Sequence, residues 1–489
     1  MRLQLLAAAT GISLALAGCV SSGGLHPEGS LTDPASLKGE RSLAGLALSP
    51  AAWPADDWWT GLGDPQLNAL MAEALKDNPS LAVADARARE AQAQAGAADA
   101  ERGPSVNAGA NVIGQRLPTT AFPPELGGGH FTWFKDARAS FSWGLDLWGG
   151  KRAAWEAALG QQRAADVESR AARIQLSSNV ALAYVQLGYA YAQLDVAKDV
   201  QDRANTVHQL TVQRVGAGVD SQLQLKQSDT EVANADQQLT AASRAIKAAQ
   251  SSLAVLLGKG PDRGLDISRP QPLEPAALSV PAELPVELMG HRADLVAARW
   301  RVEAAGKQIK VAKTEFMPDI SISAMAGFVA AGGANPLQLP ARFFTAGPSL
   351  SLPIFDGGRL RANLAGKDAQ YDLAVAQYNQ TLVSAVNEVA DDYDAAQSAQ
   401  QQVAEQQRAV DAASQAWQLS EQRYKAGVGS YLEALIVRQQ LLVAQQRMAA
   451  LKSQQVESSV QLIQALGGGF RPQAGAADVA VRPSSESSL

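Results

Sequence analysis

The one cysteine of the chain stands where a thiol can be covalently modified. Cys19 follows an apolar run that begins just behind Arg2 and ends in small residues. A charged start, an apolar stretch of about fifteen residues and small residues before the cut are typical of a secretory signal. The run is also shorter than the roughly twenty residues that span a bilayer. The sequence therefore predicts an exported protein whose signal peptide covers residues 1–18.

The residues at the predicted cut, Leu16-Ala17-Gly18-Cys19, resemble a bacterial lipobox. In that motif the cysteine is acylated and becomes the first mature residue, so we expect a covalent lipid on Cys19 and no other cofactor. Val20 follows, and the absence of aspartate there resembles lipoproteins that are sorted to the outer membrane. An ordinary signal peptide followed by an unrelated cysteine is the alternative. Once Cys19 is acylated, no thiol remains for a disulfide or a metal site.

No other residues form a recognisable catalytic or metal-binding pattern. The segment Gly258-Lys259-Gly260 lacks the Ser or Thr and the spacing of a phosphate loop, and no Gly-x-Ser-x-Gly elbow occurs. The histidines are scattered, without a pair at i, i+4: His26, His130, His208 and His291. A net charge of −6 argues against a nucleic-acid partner. We therefore expect a protein that is not an enzyme.

The chain contains two copies of one plan. Residues 213–221 and 422–430 are identical at six of nine positions, at an offset of 209. Tyr184 and Tyr393 share that offset, as do the Leu-Gly pairs at 257–258 and 466–467. Such self-similarity indicates a duplicated structural unit.

Each copy is predicted to contain a helix, two strands and a long helical hairpin. Apolar and small or polar residues alternate at about 104–117 and 131–148, and again at about 318–331 and 343–355. This alternation is typical of membrane barrel strands. Long stretches rich in Ala, Gln and Glu predict the helical hairpins at about 150–258 and 358–466.

These elements divide the chain into six parts. After the signal peptide at 1–18, we expect a lipidated N-terminal tether at 19–62, a first repeat at 63–258, an irregular, proline-rich connector at 259–286, a second repeat at 287–466 and a flexible tail at 467–489. About 65 helical residues make a rod about 100 Å long. Val180, Tyr184 and Leu187 step by four and three, which predicts a narrow coiled-coil seam in a wall one helix thick. A periplasmic coiled-coil scaffold lipoprotein is the alternative, but it does not explain the strands.

Four strands do not close a barrel. Open edges leave backbone groups unsatisfied in hydrocarbon, and single-chain barrels need at least about eight strands. Copies of the chain must therefore share one barrel, with eight, twelve or sixteen strands from two, three or four copies. The number of strands per chain does not determine how many copies form the barrel.

A set of motifs in fixed order resembles the outer-membrane factors, the TolC-like exit ducts of tripartite efflux pumps, in particular their lipidated OprM/NodT-type branch. The motifs are Trp58-Trp59, Asp64-Pro65, Asn78-Pro79-Ser80-Leu81, Asp146-Leu147-Trp148-Gly149, 352–359 (LPIFDGGR), Arg423-Tyr424 with Gly427 and Ser430-Tyr431-Leu432, and 465–469 (ALGGG).

The resemblance implies an α+β membrane protein that forms a homotrimer. Three copies would build a twelve-stranded outer-membrane β-barrel, continued by a long periplasmic α-helical barrel that is closed at its tip. It further implies a periplasmic adaptor, or membrane fusion protein, and an inner-membrane transporter of the RND type as partners. The outer-membrane duct of a type I protein-secretion system is the nearer alternative.

The repeated Arg-x-x-x-Gly-x-x-Ser segments are the main candidates for partner contact. They read structurally as turns of the helical hairpins, with glycines near the helix ends and serines as N-caps. The resemblance implies that they meet the adaptor at the far periplasmic end. The candidate residues are Arg214, Gly218 and Ser221 in the first copy and Arg423, Tyr424, Gly427 and Ser430 in the second.

The gate is where the chain departs from the family pattern. Relatives narrow the tip with inward aspartates, and acidic rings favour cations in a pore. Here the matching positions are Gln224 and Ile436. Asp220, Asp229 and Glu433 are the nearby acidic substitutes, and each is alternatively a solvated helix residue.

Overall fold

The structure, a computed structural model, describes residues 22–37, 53–121, 123–126, 128–276 and 284–471. The chain forms two compact units, each assembled from three separate segments. Unit 1 contains residues 1–31, 89–164 and 298–378, and unit 2 contains 32–88, 165–297 and 379–489. Helices and strands follow in this order: α1 Pro65–Ala74, α2 Pro79–Ala100, β1 Ser105–Arg116, β2 Phe131–Leu145, α3 Gly150–Gly216, α4 Gln222–Leu256, α5 Pro261–Leu265, α6 Leu284–His291, α7 Ala293–Thr314, β3 Asp319–Ala331, β4 Arg342–Ser351, α8 Arg359–Lys425 and α9 Tyr431–Ala465.

Unit 1 contains a four-stranded antiparallel sheet in the order β1-β2-β3-β4. Strands that are neighbours in the sheet are also consecutive along the chain. The two copies of the strand pair therefore join through β2 and β3. One end of the sheet leads directly into helices, and the other end carries the connections 117–130 and 332–341. We call the latter the loop end.

Two strands end earlier than predicted, β2 at Leu145 and β4 at Ser351, and an aspartate caps the start of the helix that follows each one. After β2, Asp146 accepts hydrogen bonds from the backbone N–H groups of Lys151 (3.0 Å) and Arg152 (2.8 Å). After β4, Asp356 accepts them from Gly358 (3.0 Å) and Leu360 (2.8 Å). Both carboxylates satisfy donors that a helix start leaves free, and the two strands end three or four residues before the expected bounds.

Helices pack beneath the sheet within unit 1. Ile309 and Phe316 lie against Leu360 and Leu364 in a small apolar core, and Leu25 of the N-terminal segment packs on it. The backbone N–H of Gly29 also donates to Asp372 Oδ1 at 2.7 Å. The segment expected to act as a tether is therefore attached to α8 in its described part.

The largest core belongs to unit 2. Residues of α1 pack there on α3 and α4, and Leu67, Met71, Leu187 and Leu253 are completely buried. Tyr184 donates to Asp64 Oδ2 at 2.6 Å, and burial together with this bond raises the pKa of the Tyr184 hydroxyl. Asp64 also accepts a hydrogen bond from the backbone N–H of Gln66, in the first turn of α1. The seam predicted from Val180, Tyr184 and Leu187 is thus part of a wider core.

The connector is more ordered than its prolines suggest. Pro261 begins the short helix α5, as expected of proline in a first turn. Gly264 then lies so close to α4 that a Cβ atom would stand 2.5 Å from the carbonyl oxygen of Gln250. Ile267 is buried, and its carbonyl accepts a hydrogen bond from the Gln250 amide at 3.0 Å. The prediction of an irregular connector is therefore wrong for residues 261–265 and for 284–286, where α6 begins. Within the described parts of the chain, no helix is both long and apolar enough to cross a bilayer.

Candidate functional site

The strand register separates the sheet into two chemically different faces. Val106 pairs with Phe141, Phe141 with Ala324, and Ala324 with Ala346, so these side chains share one face. We call it the apolar face, and three cations near the loop end interrupt it: Arg116, Lys135 and Arg342. Large side chains are exposed on it, including Val106 at 72% and Phe344 at 83%. An exposed apolar surface of this extent indicates contact with a membrane or another protein.

The opposite face, the polar face, has mainly small and hydrogen-bonding residues, and its larger apolar residues lie toward the loop end: Ile113, Phe134, Val329 and Phe343. Asn111 donates to Asp136 Oδ2 at 3.3 Å, and Arg138 lies 3.7 Å from the same carboxylate. Ser321 and Ser349 face each other with their hydroxyl oxygens 2.7 Å apart. Asn111 and Asp136 come from adjacent strands, as do Ser321 and Ser349, so these polar groups form a hydrogen-bonded surface rather than isolated sites.

The first helical hairpin turns at Gly218, and residues 214–221 form tip 1. Gly218 has φ 74°, in the left-handed region that favours glycine. The Val219 N–H donates to the Arg214 carbonyl at 2.8 Å, which closes the end of α3. Ser221 caps α4, with a capping box that it forms with Gln224. Tip 1 is therefore fixed by its own backbone bonds.

An ion pair braces tip 1. The Arg214 guanidinium donates twice to Asp220, at 2.7 and 3.0 Å. The hydrogen bond from Arg214 holds the pKa of the Asp220 carboxyl below its usual range. The carboxylate is therefore ionised and already paired across the turn.

The second hairpin repeats the turn without the ion pair, and residues 423–430 form tip 2. Gly427 has φ 76°, and the Val428 N–H donates to the Arg423 carbonyl at 3.0 Å. Ser430 and Glu433 form the capping box of α9. Gly429 occupies the place of Asp220, so the exposed Arg423 side chain has no ion-pair partner in the described chain. The rings of Tyr424 and Tyr431 pack at 4.7 Å instead.

Both tips expose apolar side chains at matching positions. Val219 is 63% exposed and its counterpart Val428 is 69% exposed. Leu223 follows tip 1 and Leu432 follows tip 2, and both are also exposed. None of these four residues was predicted to contact a partner, although the valines stand at the repeat offset of 209. Exposed apolar residues on rigid, capped turns are suited to packing against a partner.

The predicted acidic gate residues each have a partner in their own chain. Asp220 is paired with Arg214, as described above. Asp229 on α4 lies 2.9 Å from the Lys226 ammonium and 3.5 Å from His208 Nδ1. The Glu433 carboxylate accepts a hydrogen bond from the backbone N–H of Ser430. Each of the three carboxylates therefore has a partner within the chain. Cys19 lies outside the described residues.

The chain matches a family model with the description "outer membrane efflux protein" over residues 70–259 and 284–468. It is 37% identical over 362 residues to the fusaric acid resistance protein FusA of Burkholderia cepacia, covering 73% of this chain and 68% of FusA. It is 33% identical over 440 residues to the multidrug resistance outer membrane protein MdtP of Escherichia coli K12, covering 87% and 89%.

A solved structure has the same fold. The crystal structure of the outer membrane protein VceC from Vibrio cholerae aligns with a TM-score of 0.76 at 34% identity, covering 86% of this chain and all of that one. The family match spans both copies of the duplicated unit, and the fold agrees over most of the chain. The chain therefore belongs to the outer membrane efflux protein family, as its motifs predicted.

Proposed function

We propose that three copies of the chain form one twelve-stranded outer-membrane β-barrel, continued by a periplasmic α-helical barrel, which together conduct substrates out of the cell. The observation that carries the proposal is the sheet. It has an exposed apolar face suited to lipid and a polar face suited to a water-filled lumen. In the described chain, β1 and β4 each pair on one side only, which is untenable in hydrocarbon without neighbouring copies.

The duct itself is passive in this proposal. Energy comes from an inner-membrane transporter, of the RND type, and a periplasmic adaptor links that transporter to the duct. The resistance functions in the names of FusA and MdtP favour small-molecule efflux over type I protein secretion. The same relatives argue against the periplasmic scaffold.

The adaptor docks on tip 1 and tip 2. Support comes from the matched glycine turns, the capping boxes and the exposed pair Val219 and Val428. The periplasmic gate lies in the same region and includes Asp220, Asp229 and Glu433. The contacts that hold these three carboxylates lie within one turn or one hairpin of the chain.

A lipid on Cys19 anchors the mature chain as a supplement to the barrel. The barrel spans the membrane, so it holds the protein there without the lipid. In the described part of the N-terminal segment, Leu25 packs on the small core of unit 1 and Gly29 bonds to Asp372.

Two measurements test this proposal together. The mass of the detergent-extracted oligomer, corrected for bound detergent, should correspond to three copies, whereas two or four copies would mean eight or sixteen strands. Expression in a strain that lacks its own duct should restore resistance to pump substrates. A monomer that restores no resistance would refute the proposal.

A further inference from the structure

Three cations on the apolar face have no role in forming a lumen. Arg116, Lys135 and Arg342 share the face of Val106 and Phe141, as the register requires: Arg116 pairs with Phe131, Lys135 with Val112, and Arg342 with Phe328. No acidic residue of the four strands falls on this face. The polar face instead has two carboxylates, Asp136 and Asp319, and one cation, Arg138. Counted over the four strands, the apolar face therefore has a net positive charge and the polar face a net negative one.

The cations lie near one edge of the apolar band. From Leu145 to Lys135 there are ten residue steps along β2, or about 33 Å of strand at about 3.3 Å each. At a strand tilt of about 40° this length spans about 25 Å of membrane, which is the height of the apolar band of outer-membrane barrels. Lys135 therefore falls where hydrocarbon gives way to headgroups at the loop end.

The other two cations lie close to Lys135 on the sheet. Arg342 is level with Ala137 two strands away, which places its Cα about 12 Å from that of Lys135. Arg116 is level with Phe131 on the neighbouring strand, about 14 Å from Lys135. Side chains of this length can reach a shared ligand across such distances.

None of the three cations is neutralised by the chain. Arg116, Lys135 and Arg342 have no ion pair among the described residues, and the two arginines are exposed. Arg138, on the other face, lies 3.7 Å from Asp136. Unpaired cations at the edge of an apolar surface attract anionic headgroups, and each adds roughly fivefold to the binding of an anionic membrane.

Aromatic side chains surround the cations. Phe131 and Trp133 are 62% and 51% exposed and pack edge to face with ring centroids 5.6 Å apart. Phe344 is two residues from Arg342 on the same face. Aromatic rings beside cations are typical of a membrane–water interface, where rings meet acyl chains and cations meet headgroups.

We infer that Arg116, Lys135 and Arg342, with Phe131 and Trp133, form a site for the phosphate groups of an anionic lipid in the outer leaflet. This inference rests on the proposed barrel, which makes the loop end the outer one. The occupant is a membrane lipid rather than free phosphate, because the cations continue an apolar surface that would hold its acyl chains.

The test compares lipid binding by the purified, full-length oligomer and its variants in neutral detergent. The probe is fluorescent hexa-acylated lipid A with two phosphates, titrated against the wild type and the triple variant R116Q/K135Q/R342Q. From roughly fivefold per cation, the triple variant should bind about 100-fold more weakly. R138Q removes a cation from the polar face and should bind as the wild type does. The single variant K135Q should lose about fivefold, which keeps the test informative if the triple variant fails to assemble.

The remaining arms separate the possible failures. The charge-conserving variant R116K/K135R/R342K should retain most of the binding, and inorganic phosphate at millimolar concentration should not displace the lipid. Equal affinity of the wild type and K135Q, an equal loss in R138Q, or full displacement by phosphate would overturn the inference. Oligomer mass and conductance are measured on the same samples. A wild type that conducts but binds lipid A no better than its glutamine variants refutes only the lipid site, whereas one that does not conduct refutes the proposed function.

Discussion

Valine at both tip glycines is expected to stop efflux without stopping assembly. Gly218 and Gly427 have φ 74° and 76°, where an L side chain costs about 1–2 kcal/mol, and a β-branched one is a clear outlier. A Cβ atom at either position meets no other atom within 4 Å. The strain is therefore local to the backbone, about 1–2 kcal/mol per tip, and is relieved if the turn changes shape. Such a change would displace Val219 and Val428, which the proposed docking uses.

The assay uses Gly218→Val combined with Gly427→Val in a strain that lacks its own duct. We expect normal amounts of outer-membrane trimer, weak site-specific cross-linking to the adaptor and loss of resistance to pump substrates. The matched control is Gly216→Val combined with Gly429→Val. These glycines lie in the same turns but do not have positive φ, and a Cβ atom added at either position meets nothing closer than 3.5 Å. The control should retain cross-linking and resistance.

Two outcomes would refute this reasoning. Full resistance with intact cross-linking in the Gly218→Val, Gly427→Val variant would mean that the adaptor docks elsewhere. Loss of the trimer from the membrane would mean that the tips are needed for assembly, and that their strain is not local.

Three further predictions concern the anchor and the core of unit 2. Cys19→Ser should abolish incorporation of labelled fatty acid while leaving trimers in the membrane, and labelling at the wild-type level would exclude a lipid on Cys19. Tyr184→Phe should lower the free energy of unfolding by about 1–3 kcal/mol, because buried Asp64 loses the 2.6 Å hydrogen bond. The control Tyr189→Phe should lower it by less than about 0.5 kcal/mol. Both are measured by thermal unfolding of the detergent-solubilised protein. Burial, followed by the nearby Glu388 and Asp391 carboxylates, raises the pKa of Asp392 to about 6, although Arg292 opposes this shift. The folded chain then binds this proton more tightly than the unfolded chain, so stability should fall by about 1–2 kcal/mol as the pH rises from about 4 to 6. Asp392→Asn should flatten that part of the profile, and an unchanged slope would show that another group titrates.

The strands were predictable because their chemistry alternates with the backbone. Phe141, Trp143 and Leu145 alternate with serine and glycine, and this period of two places the three side chains on one face of the strand, whichever residues it pairs with. The charge segregation was not predictable. It depends on which residue of β1 pairs with which residue of β2, and the alternation within one strand does not determine that pairing.

At the tips, too, the sequence predicted the backbone turns but not the side-chain contacts. Glycine and serine at fixed spacing predicted a left-handed turn and an N-cap, because few other residues serve there. The Arg214–Asp220 pair of tip 1 and the ring contact of Tyr424 with Tyr431 in tip 2 were not predicted. Both depend on side-chain directions across the turn, and charge alone does not reveal whether an aspartate is paired or open to a pore.

The connector shows where composition misleads. Six prolines between 261 and 285 predicted irregular chain, yet Pro261 begins a helix, and Gly264 and Ile267 fix that segment against α4. Proline excludes a helix interior but favours a first turn. Packing against α4 therefore fixes the conformation of this segment, and the proline content alone does not predict it.

The proposed water-filled lumen is lined by the polar face of the sheet. Thiol accessibility on the two faces of β2 is the most direct test of that lumen. Ser140 lies on the polar face and its neighbour Ala139 on the apolar face. Oligomers of Ser140→Cys or Ala139→Cys are placed in planar bilayers, and a charged, membrane-impermeant methanethiosulfonate is added while current is recorded. The account predicts that the reagent lowers the conductance of Ser140→Cys and leaves Ala139→Cys unchanged. Block of Ala139→Cys with no effect on Ser140→Cys, or no conductance from intact trimers, would contradict it.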